Sequence, residues 1–207
     1  MCRDCVADFV PNTVCCSLCA MPLSVASSRC GACQDWPDDC TAVVAPWRYV
    51  FPLDRLIAAL KYQRDLTVMP ALTQLLPALP AALADAVLIA VPLHRQRMRE
   101  RGFNQARLLA SALSRRWRLQ VCHTALQRTR VTPPQVTLHG SARRANVHNA
   151  FVANGCIDGA SVCLVDDVLT SGATALAAAA ALRQAGAREV FVFALARAGY
   201  AAGGRYK

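Results

Sequence analysis

Two adjacent acids precede a glycine turn in the segment VCLVDDVLTSGAT, residues 162 to 174. Asp166 and Asp167 follow four apolar residues, which predicts a buried strand that ends at the two carboxylates. Charge at the end of a strand costs desolvation free energy unless a partner offsets it. Residues 173 to 184 predict a helix, and the unpaired N–H groups of its first turn suit an anion. The segment therefore predicts an anion site between the acids and a helix N-terminus.

Cysteines are concentrated at the N-terminus, where eight of the eleven fall within the first 40 residues. Six of them form three C-x2-C pairs, which start at Cys2, Cys16 and Cys30. Each C-x2-C pair, or knuckle, can supply two thiolate ligands to a zinc ion, and two knuckles complete a four-cysteine site. A disulfide cluster is the alternative. No secretory signal is visible, which favours a reducing, cytoplasmic compartment and a structural zinc ion.

Three pairs allow two different four-cysteine sites. One combines the first and second pairs, so that Cys2 and Cys5 would be ligands. The other combines the second and third pairs, and we favour it because it leaves over only the pair at the very start. Cys15 and Cys40 are either substitute ligands or free thiols. The favoured zinc ligands are Cys16, Cys19, Cys30 and Cys33.

Basic residues are concentrated in the middle of the chain. The 207 residues are 55% hydrophobic and 17% charged, with a net charge of +10, which is typical of a packed globular protein. Residues 86 to 157 contain twelve arginines against a single acid, Glu100. The planar fork of arginine suits phosphate, although genome composition bias alone also favours arginine over lysine.

The strongest basic segment follows a predicted buried strand within residues 86 to 93. Within residues 94 to 103 every second residue from 95 to 101 is arginine. This is too much charge for a core segment and predicts a loop, and a helix is predicted from Asn104 onward. Basic groups beyond the carboxyl end of a buried strand are where open α/β sheets bind ligands. A solvated charged face is the alternative for any single arginine. The candidate anion-binding residues are Arg101, Gly102, Asn104 and Gln105, with Lys61, at the end of a short amphipathic helix capped by Asp54, as a weaker candidate.

The remaining segments predict the architecture. Residues 123 to 150 lack periodicity and predict a lid-like loop whose grip on an anion comes from Arg128, Arg130, Arg143 and Arg144. Residues 189 to 195 predict another buried strand. Strands that alternate with helices predict an α/β fold with a mostly parallel sheet and right-handed crossovers. Residues 71 to 93 are apolar, but Pro77, Pro80, Asp85 and Pro92 interrupt them and argue against a membrane span.

The segment at residues 162 to 174 resembles the phosphoribosyl pyrophosphate (PRPP) signature of the type I phosphoribosyltransferases. The chain from about Cys15 to about Arg197 resembles the ComF family, also called the ComFC or GntX proteins, which joins an N-terminal zinc-binding motif to such a domain. Supporting stretches are LKYQRD around Lys61, VPL and RGFNQ at 91 to 105, LQRTR, the region of Gln135, and RRANVHNAF. The resemblance implies a zinc module over residues 1–45 and a phosphoribosyltransferase-like domain over residues 46–207.

The resemblance also implies roles for the residues of the signature. Asp166 and Asp167 would engage the ribose hydroxyls and organise hydrated magnesium. The 5-phosphate would lie against the turn, and the whole PRPP-binding segment would comprise Asp166, Asp167, Val168, Leu169, Thr170, Ser171, Gly172, Ala173 and Thr174. The pyrophosphate would meet Arg101 to Gln105.

Two functions follow as hypotheses. The first is a magnesium-dependent protein that binds PRPP or a ribose 5-phosphate compound and transfers the phosphoribosyl group to an acceptor. The second is a non-catalytic module that binds PRPP or single-stranded DNA and acts with protein partners in DNA uptake, as the family name implies through natural competence. The basic middle favours DNA electrostatically, but the aromatic residues available there for base stacking are few: Phe103, Trp117 and Phe151.

Overall fold

A parallel β-sheet forms the centre of the protein. The computed structural model describes residues 1–34, 36–129 and 150–199. Within them lie seven strands: β1 (Ala42–Val44), β2 (Trp47–Arg48), β3 (Val87–Ala90), β4 (Leu126–Arg128), β5 (Phe151–Ala153), β6 (Ser161–Leu169) and β7 (Glu189–Arg197). The sheet has the order β1, β7, β6, β3, with all neighbours parallel, and β2 also pairs with β7. β4 and β5 form a separate antiparallel ribbon. The predicted fold class, a mostly parallel sheet flanked by helices, is confirmed.

Helices connect the strands and cover both faces of the sheet. In the described residues they are α1 (Arg3–Ala7), α2 (Leu53–Ala58), α3 (Met69–Gln74), α4 (Arg95–Arg101), α5 (Gln105–Trp117) and α6 (Ala173–Gln184). A π-helical turn, Ala59–Gln63, continues α2. None of these helices is long and apolar enough to span a membrane.

The alternation of side chains along β6 explains the layers. Val162 and Leu164 share one core with the alanines of α6, and Cys163 and Val165 share another with α5. Successive side chains of a strand point to opposite faces of the sheet, so both faces of β6 are apolar. A strand that is buried on both faces reads as a continuous apolar run, which is why the sequence predicts β6 and β7 well.

The arginine-rich segment at 94 to 103 is a helix, so the prediction of a loop there is wrong. His94 caps α4, because its Nδ1 accepts a hydrogen bond from the Gln96 N–H at 3.2 Å. Gly102 ends the helix with a φ of +83°. No residue of α4 is buried, so the helix has no apolar face and its sequence carries no helical periodicity. The predicted cap of α2 is also corrected: Pro52 occupies the N-cap position without a side-chain hydrogen bond, and Asp54 lies in the first turn of the helix.

The N-terminal module contributes a strand to the central sheet. The sequence predicts the border at residue 45, yet β1 lies before it and pairs with β7, with Val43 opposite Val192. Asn12 also reaches across, because its Nδ2 donates to the carbonyl oxygens of Ala20 and Ala45 at 2.8 and 3.1 Å. The first strand of the sheet is therefore contributed by the last residues of the predicted zinc module.

Candidate functional site

Asp166 and Asp167 lie where β6 has a strand neighbour on one side only. On one side β3 ends at Ala90, which pairs with Val165. On the other side β7 continues beyond the acids, and Arg197 pairs with Leu169. The strand therefore runs two residues further than its apolar run predicts, because β7 supplies backbone partners there. Among the described strands, none pairs with the β3 side of β6 from Asp166 onward.

Lys61 forms an ion pair with Asp167. The distance between Lys61 Nζ and Asp167 Oδ2 is 2.7 Å, and the two side chains are 18% and 3% exposed. Burial alone would lower the pKa of Lys61, but the carboxylates of Asp167 and Asp166 outweigh it and raise that pKa above its usual value. The π-helical turn brings the lysine to the sheet, and such turns are frequent at functional sites. The weak anion-binding candidate of the sequence thus lies beside the acids.

Asp166 occupies an environment that disfavours its charge. Burial raises the pKa of Asp166 to about 8, the Asp167 carboxylate acts in the same direction, and Lys61 opposes both. Asp166 Oδ1 accepts a hydrogen bond from the backbone N–H of Asp167 at 2.9 Å. Near neutral pH this carboxyl therefore keeps its proton much of the time, and a cation placed beside it would favour the ionised form.

The turn after β6 forms a cleft at the N-terminus of α6. Gly172, which precedes the helix, has a φ of +79°, a left-handed conformation that favours glycine. Ser171 Oγ accepts a hydrogen bond from the Ala173 N–H at 3.4 Å. We call this the turn cleft; it has a cavity volume of about 40 Å³ and is lined by Asp166, Val168, Leu169, Thr170, Ser171, Gly172, Ala173, Thr174 and Ala175.

The turn cleft has the chemistry of an anion site. α6 has twelve residues, and the N–H groups of its first turn have no partner within the helix. The helix dipole adds partial positive charge at the same end. Hydroxyl groups of Thr170, Ser171 and Thr174 line the cleft beside these donors. A phosphate dianion is the type of ligand that such a helix terminus accommodates.

A second cleft, which we call the basic cleft, includes Lys61. Its cavity volume is about 210 Å³. Arg97 and Arg101 lie one turn apart on α4 and so project from the same side of that helix. Arg64 Nη2 donates a hydrogen bond to the carbonyl oxygen of Glu100. The residues that line the cleft are Lys61, Tyr62, Arg64, Arg97, Glu100 and Arg101.

Arg128 on β4 lies within electrostatic reach of both the acids and the basic cleft. Burial and the neighbouring Arg97 lower the pKa of Arg128, whereas Asp166 raises it. Its guanidinium carbon lies 5.4 Å from the centre of the Phe151 ring, a cation–π contact across the ribbon. Arg128 is the one predicted lid arginine within the described part of the chain. Outside it lie Arg130, Arg143 and Arg144.

Two of the residues predicted to bind an anion at 101 to 105, Asn104 and Gln105, have structural roles. Asn104 is buried: its Oδ1 accepts the Ala106 N–H at 2.9 Å and its Nδ2 donates to the Val91 carbonyl oxygen at 3.0 Å. Gln105 is buried as well, and its Oε1 accepts from Arg101 Nη1 at 2.6 Å. Asn104 therefore caps α5 and ties it to the residue that follows β3. Gln105 orients Arg101 at the basic cleft.

Four cysteines converge in the N-terminal module. The Sγ atoms of Cys16, Cys19, Cys30 and Cys33 all lie within 4.8 Å of one another. Three of the separations are 3.6 to 3.8 Å. A tetrahedral zinc site with Zn–S bonds of about 2.3 Å places its sulfurs about 3.8 Å apart, so the cluster fits this ion. The set formed by the second and third C-x2-C pairs is the one brought together.

The thiols of this cluster also need a cation in order to ionise together. Burial raises the pKa of Cys19 to about 11, and it raises that of Cys33 as well. A bound metal ion deprotonates its thiol ligands outright. Cys40 is buried nearby in the chain but lies outside the cluster, and Cys2 and Cys5 are exposed.

Two residues that the sequence did not single out join the cysteine module to the turn cleft. Trp36 packs on the turn, so that a Cβ added to Gly172 would lie 3.1 Å from Trp36 Cη2. Arg197 is 1% exposed, and its Nε donates to the Cys19 carbonyl oxygen at 2.9 Å. Its Nη1 donates to the carbonyl oxygens of Leu169 and Thr170. An arginine at the end of the apolar run EVFVFALAR is the signal that could have pointed to this role.

Comparison with known proteins found relatives along almost the whole chain. The chain is 34% identical over 204 residues to the DNA utilization protein YhgH of Escherichia coli O157:H7, and the match covers 95% of this chain and 90% of the relative. The YhgH protein of Escherichia coli strain K12 is 33% identical with the same coverage. Competence protein F of Haemophilus influenzae is 33% identical over 196 residues, covering 88% of this chain and 84% of that protein. No family model matches the chain.

Proposed function

Because this chain belongs to the ComF family, that of competence protein F and DNA utilization protein YhgH, we propose that it binds PRPP with magnesium and transfers the phosphoribosyl group to an acceptor. The observation that carries the proposal is the junction of three features at one sheet edge. These are the Asp166 and Asp167 carboxylates, the turn cleft at the N-terminus of α6, and the basic cleft that shares Lys61 with the acids.

The turn cleft is the proposed site of the 5-phosphate. Its dianion would receive hydrogen bonds from backbone N–H groups at the start of α6 and from the hydroxyl side chains of the turn. Gly172 supports this role, because its left-handed backbone lets the turn wrap closely and no side chain fills the space in front of Trp36. The apolar neighbours Val168 and Leu169 belong to the strand that holds the turn in place.

The two acids are the proposed contacts of the ribose. Carboxylate oxygens accept hydrogen bonds from sugar hydroxyls, and Asp166 borders the turn cleft. The same carboxylates would hold hydrated magnesium, a cation that prefers oxygen ligands and retains several waters. The raised pKa of Asp166 is consistent with a carboxyl that ionises fully only when a cation is present. Magnesium, when bound, would supply positive charge against the pyrophosphate.

The basic cleft is the proposed site of the pyrophosphate. Arg97 and Arg101 present two guanidinium groups from one face of α4, and guanidinium is suited to bidentate contacts with phosphate oxygens. Lys61 stands between this cleft and Asp167, so its ammonium group lies at the boundary between the pyrophosphate and the ribose. Glu100 also lines the cleft but is exposed, and its charge is outnumbered there by four basic residues.

In the transfer, the bond between the anomeric carbon and the pyrophosphate oxygen breaks as a nucleophile approaches from the opposite face of the ribose. Positive charge develops on the ring, and the Asp166 and Asp167 carboxylates are placed to stabilise it. Lys61, Arg97 and Arg101 stabilise the negative charge of the departing pyrophosphate. The enzyme would act by positioning and electrostatics.

A second candidate function is single-stranded DNA binding, for which the names of the relatives and the exposed arginines of α4 and α5 argue. Arg95, Arg99, Arg107, Arg115 and Arg116 are exposed. Of the aromatic residues first considered for stacking, Trp117 and Phe151 are buried in the core. Tyr62 is 75% exposed at the basic cleft and is the better stacking candidate. We place this activity within DNA utilization, the process named for the relatives.

Calorimetric titration of magnesium and PRPP into the zinc-loaded chain tests the first proposal. We expect saturable binding that the double variant Asp166→Ala/Asp167→Ala abolishes. The same variant should bind a fluorescent single-stranded oligonucleotide as well as the unmodified chain does, or more tightly, since it has lost negative charge. Unchanged PRPP binding by the folded variant would refute the assigned site, and equal loss of DNA binding would refute separate sites for the two ligands.

A further inference from the structure

Cys122 and Cys156 form a thiol pair far from the four-cysteine cluster in sequence. Their Sγ atoms lie 3.4 Å apart, and the two residues are separated by 34 positions. Cys122 precedes β4 and Cys156 follows β5, so the pair lies at one end of the antiparallel ribbon, beyond the Leu126 and Ala153 pairing. Cys156 is exposed and Cys122 is half-buried, which leaves the pair accessible to small reagents.

The backbone around the pair holds the two thiols close together. The Asn154 N–H donates to the Ala125 carbonyl oxygen at 3.0 Å, which extends the ribbon by one hydrogen bond. Asn154 Nδ2 donates to the Thr124 carbonyl oxygen, also at 3.0 Å. A disulfide has an S–S bond of about 2.05 Å, so rotation of the two side chains has to close a gap of only about 1.4 Å. The 3.4 Å separation is therefore that of a dithiol close to bonding distance.

The hydrogen bonds of the pair make the two sulfurs chemically different. Burial alone would raise the pKa of Cys122, but a hydrogen bond from the Thr124 backbone and the contact with the Cys156 sulfur outweigh it and lower that pKa. The pKa of Cys156 is raised, first by its hydrogen bond to Cys122. The thiolate is the nucleophile in disulfide exchange. Thr124 Oγ1 also lies 3.8 Å from Cys122 Sγ, where its hydroxyl can donate to a thiolate, so we assign Cys122 as the attacking sulfur and Cys156 as the resolving one.

We propose that Cys122 and Cys156 are a redox modification site, at which a low-molecular-weight disulfide such as oxidised glutathione converts the dithiol into an intramolecular disulfide. The Cys122 thiolate attacks one sulfur of the reagent, forms a mixed disulfide and releases one thiolate. Cys156 then loses its proton and attacks Cys122 Sγ, which releases the second thiolate. The reagent is reduced to two thiols, and the two protein thiols are oxidised to one S–S bond.

The product would close a covalent loop over residues 122 to 156. Such a bond ties the outer ends of β4 and β5 together and restrains the unfolded chain. β4 carries Arg128, which interacts with Asp166 and Arg97, so the modification would fix the strand next to the carboxylate site. The proposal itself concerns the thiols alone and does not depend on the ligand of that site.

Peptide mapping of the full, zinc-loaded chain tests this inference. The protein is equilibrated with oxidised glutathione, alkylated, and digested with trypsin and an aspartate-directed protease, which cuts before Asp158 and so separates Cys156 from Cys163. We expect a linked pair of peptides, residues 119 to 128 with residues 145 to 157, that dithiothreitol removes. Separate alkylation of Cys122 and Cys156 after this treatment would overturn the proposal.

Single substitutions identify the order of the steps. Cys156→Ser should stop the reaction at a stable mixed disulfide on Cys122, because no resolving thiol remains. In the Cys122→Ser variant only Cys156 can react. We expect its glutathionylation to be at least tenfold slower than that of Cys122 in the Cys156→Ser variant. Equal rates at the two positions would overturn the assignment of Cys122 as the attacking sulfur. The exposed pair Cys2 and Cys5, with Sγ atoms 3.3 Å apart, is mapped in the same digest as an internal comparison.

Discussion

The Nε atom of Arg197 lies 2.9 Å from the carbonyl oxygen of Cys19, and this hydrogen bond joins the end of β7 to the first knuckle of the cysteine cluster. The same guanidinium holds the carbonyls of Leu169 and Thr170 at the start of the turn cleft. Arg197 takes part in neither of the two ion pairs found among the described residues, and its guanidinium donates only to backbone carbonyl oxygens there. The arginine therefore ties the cysteine module to the proposed phosphate site.

Replacing Arg197 should weaken both features that it joins. Arg197→Met would leave several carbonyl oxygens without their donor, and hydrogen bonds to a charged group contribute about 1.5–3 kcal/mol each. We expect Tm to fall by more than about 5 °C and zinc to be released faster to a chelator. The control Arg188→Met removes an exposed ion pair and should change Tm little. Equal zinc release rates in the two variants would contradict the structural link.

Removing Lys61 should leave the Asp167 carboxylate buried without its cation. We expect Lys61→Met to lower the free energy of unfolding by about 3 kcal/mol, as breaking a buried ion pair typically does. The double variant Lys61→Met/Asp167→Asn should recover most of this loss, because the uncompensated charge is gone. Urea denaturation of the unmodified chain, Lys61→Met, Asp167→Asn and the double variant measures the coupling. Additive effects of the two substitutions would argue against the ion pair.

Asp166 should make the fold less stable as pH rises. Its pKa is about 8 in the folded protein and about 3.9 in an unfolded chain. Between these values the folded state holds the proton and the unfolded state does not, so stability is highest at the acidic end and falls towards pH 8. The pKa of Lys61 is raised above an already alkaline value, so its titration lies outside this window.

The measurement is Tm against pH in magnesium-free buffer for the unmodified chain and for Asp166→Asn. We expect a gain in Tm for the variant that is small near pH 4.5 and grows to several degrees at pH 8. Asp38→Asn, at an exposed carboxyl, provides the matched control. A gain in Tm that does not change with pH would contradict the role of burial at Asp166.

Zinc content should depend on the second and third C-x2-C pairs. We expect one zinc ion per chain in protein purified without chelator, and loss of that ion in Cys30→Ser, because a structural site needs all four thiolates. Cys2→Ser should keep the ion, since Cys2 is exposed and lies outside the cluster. Elemental analysis of the folded variants decides this. Loss of zinc from Cys2→Ser would favour the other pairing.

Local patterns in the sequence predict much of the fold. The continuous apolar runs of β6 and β7 and the alanine-rich stretch of α6 predict these elements, and the C-x2-C spacing narrows the converging cysteines to two possible sets. α4 escaped prediction because none of its residues is buried, so no apolar stripe marks it as a helix. Its end at Gly102 is the local signal that was available.

Contacts between distant segments could not be predicted in the same way. Lys61 and Asp167 are brought together by the packing of α2 and its π-helical turn near the sheet edge, which no short motif encodes. The approach of Trp36 to Gly172 likewise depends on how the cysteine module lies against the turn. The sequence therefore predicts a site at the acids and the turn, with Lys61 as a weaker candidate, but not the contacts that hold these residues together.

The central claim is that the turn cleft binds the 5-phosphate of a phosphoribosyl compound, and phosphorus NMR titration of PRPP with magnesium tests it most directly. The zinc-loaded chain should shift the 5-phosphate resonance in a saturable way. Gly172→Ala, which strains the backbone and meets Trp36, should weaken this binding at least tenfold, whereas Gly155→Ala, whose added Cβ meets nothing, should not. Absence of a saturable shift with the folded, zinc-loaded chain, or equal binding by the Gly172→Ala variant, would contradict the claim.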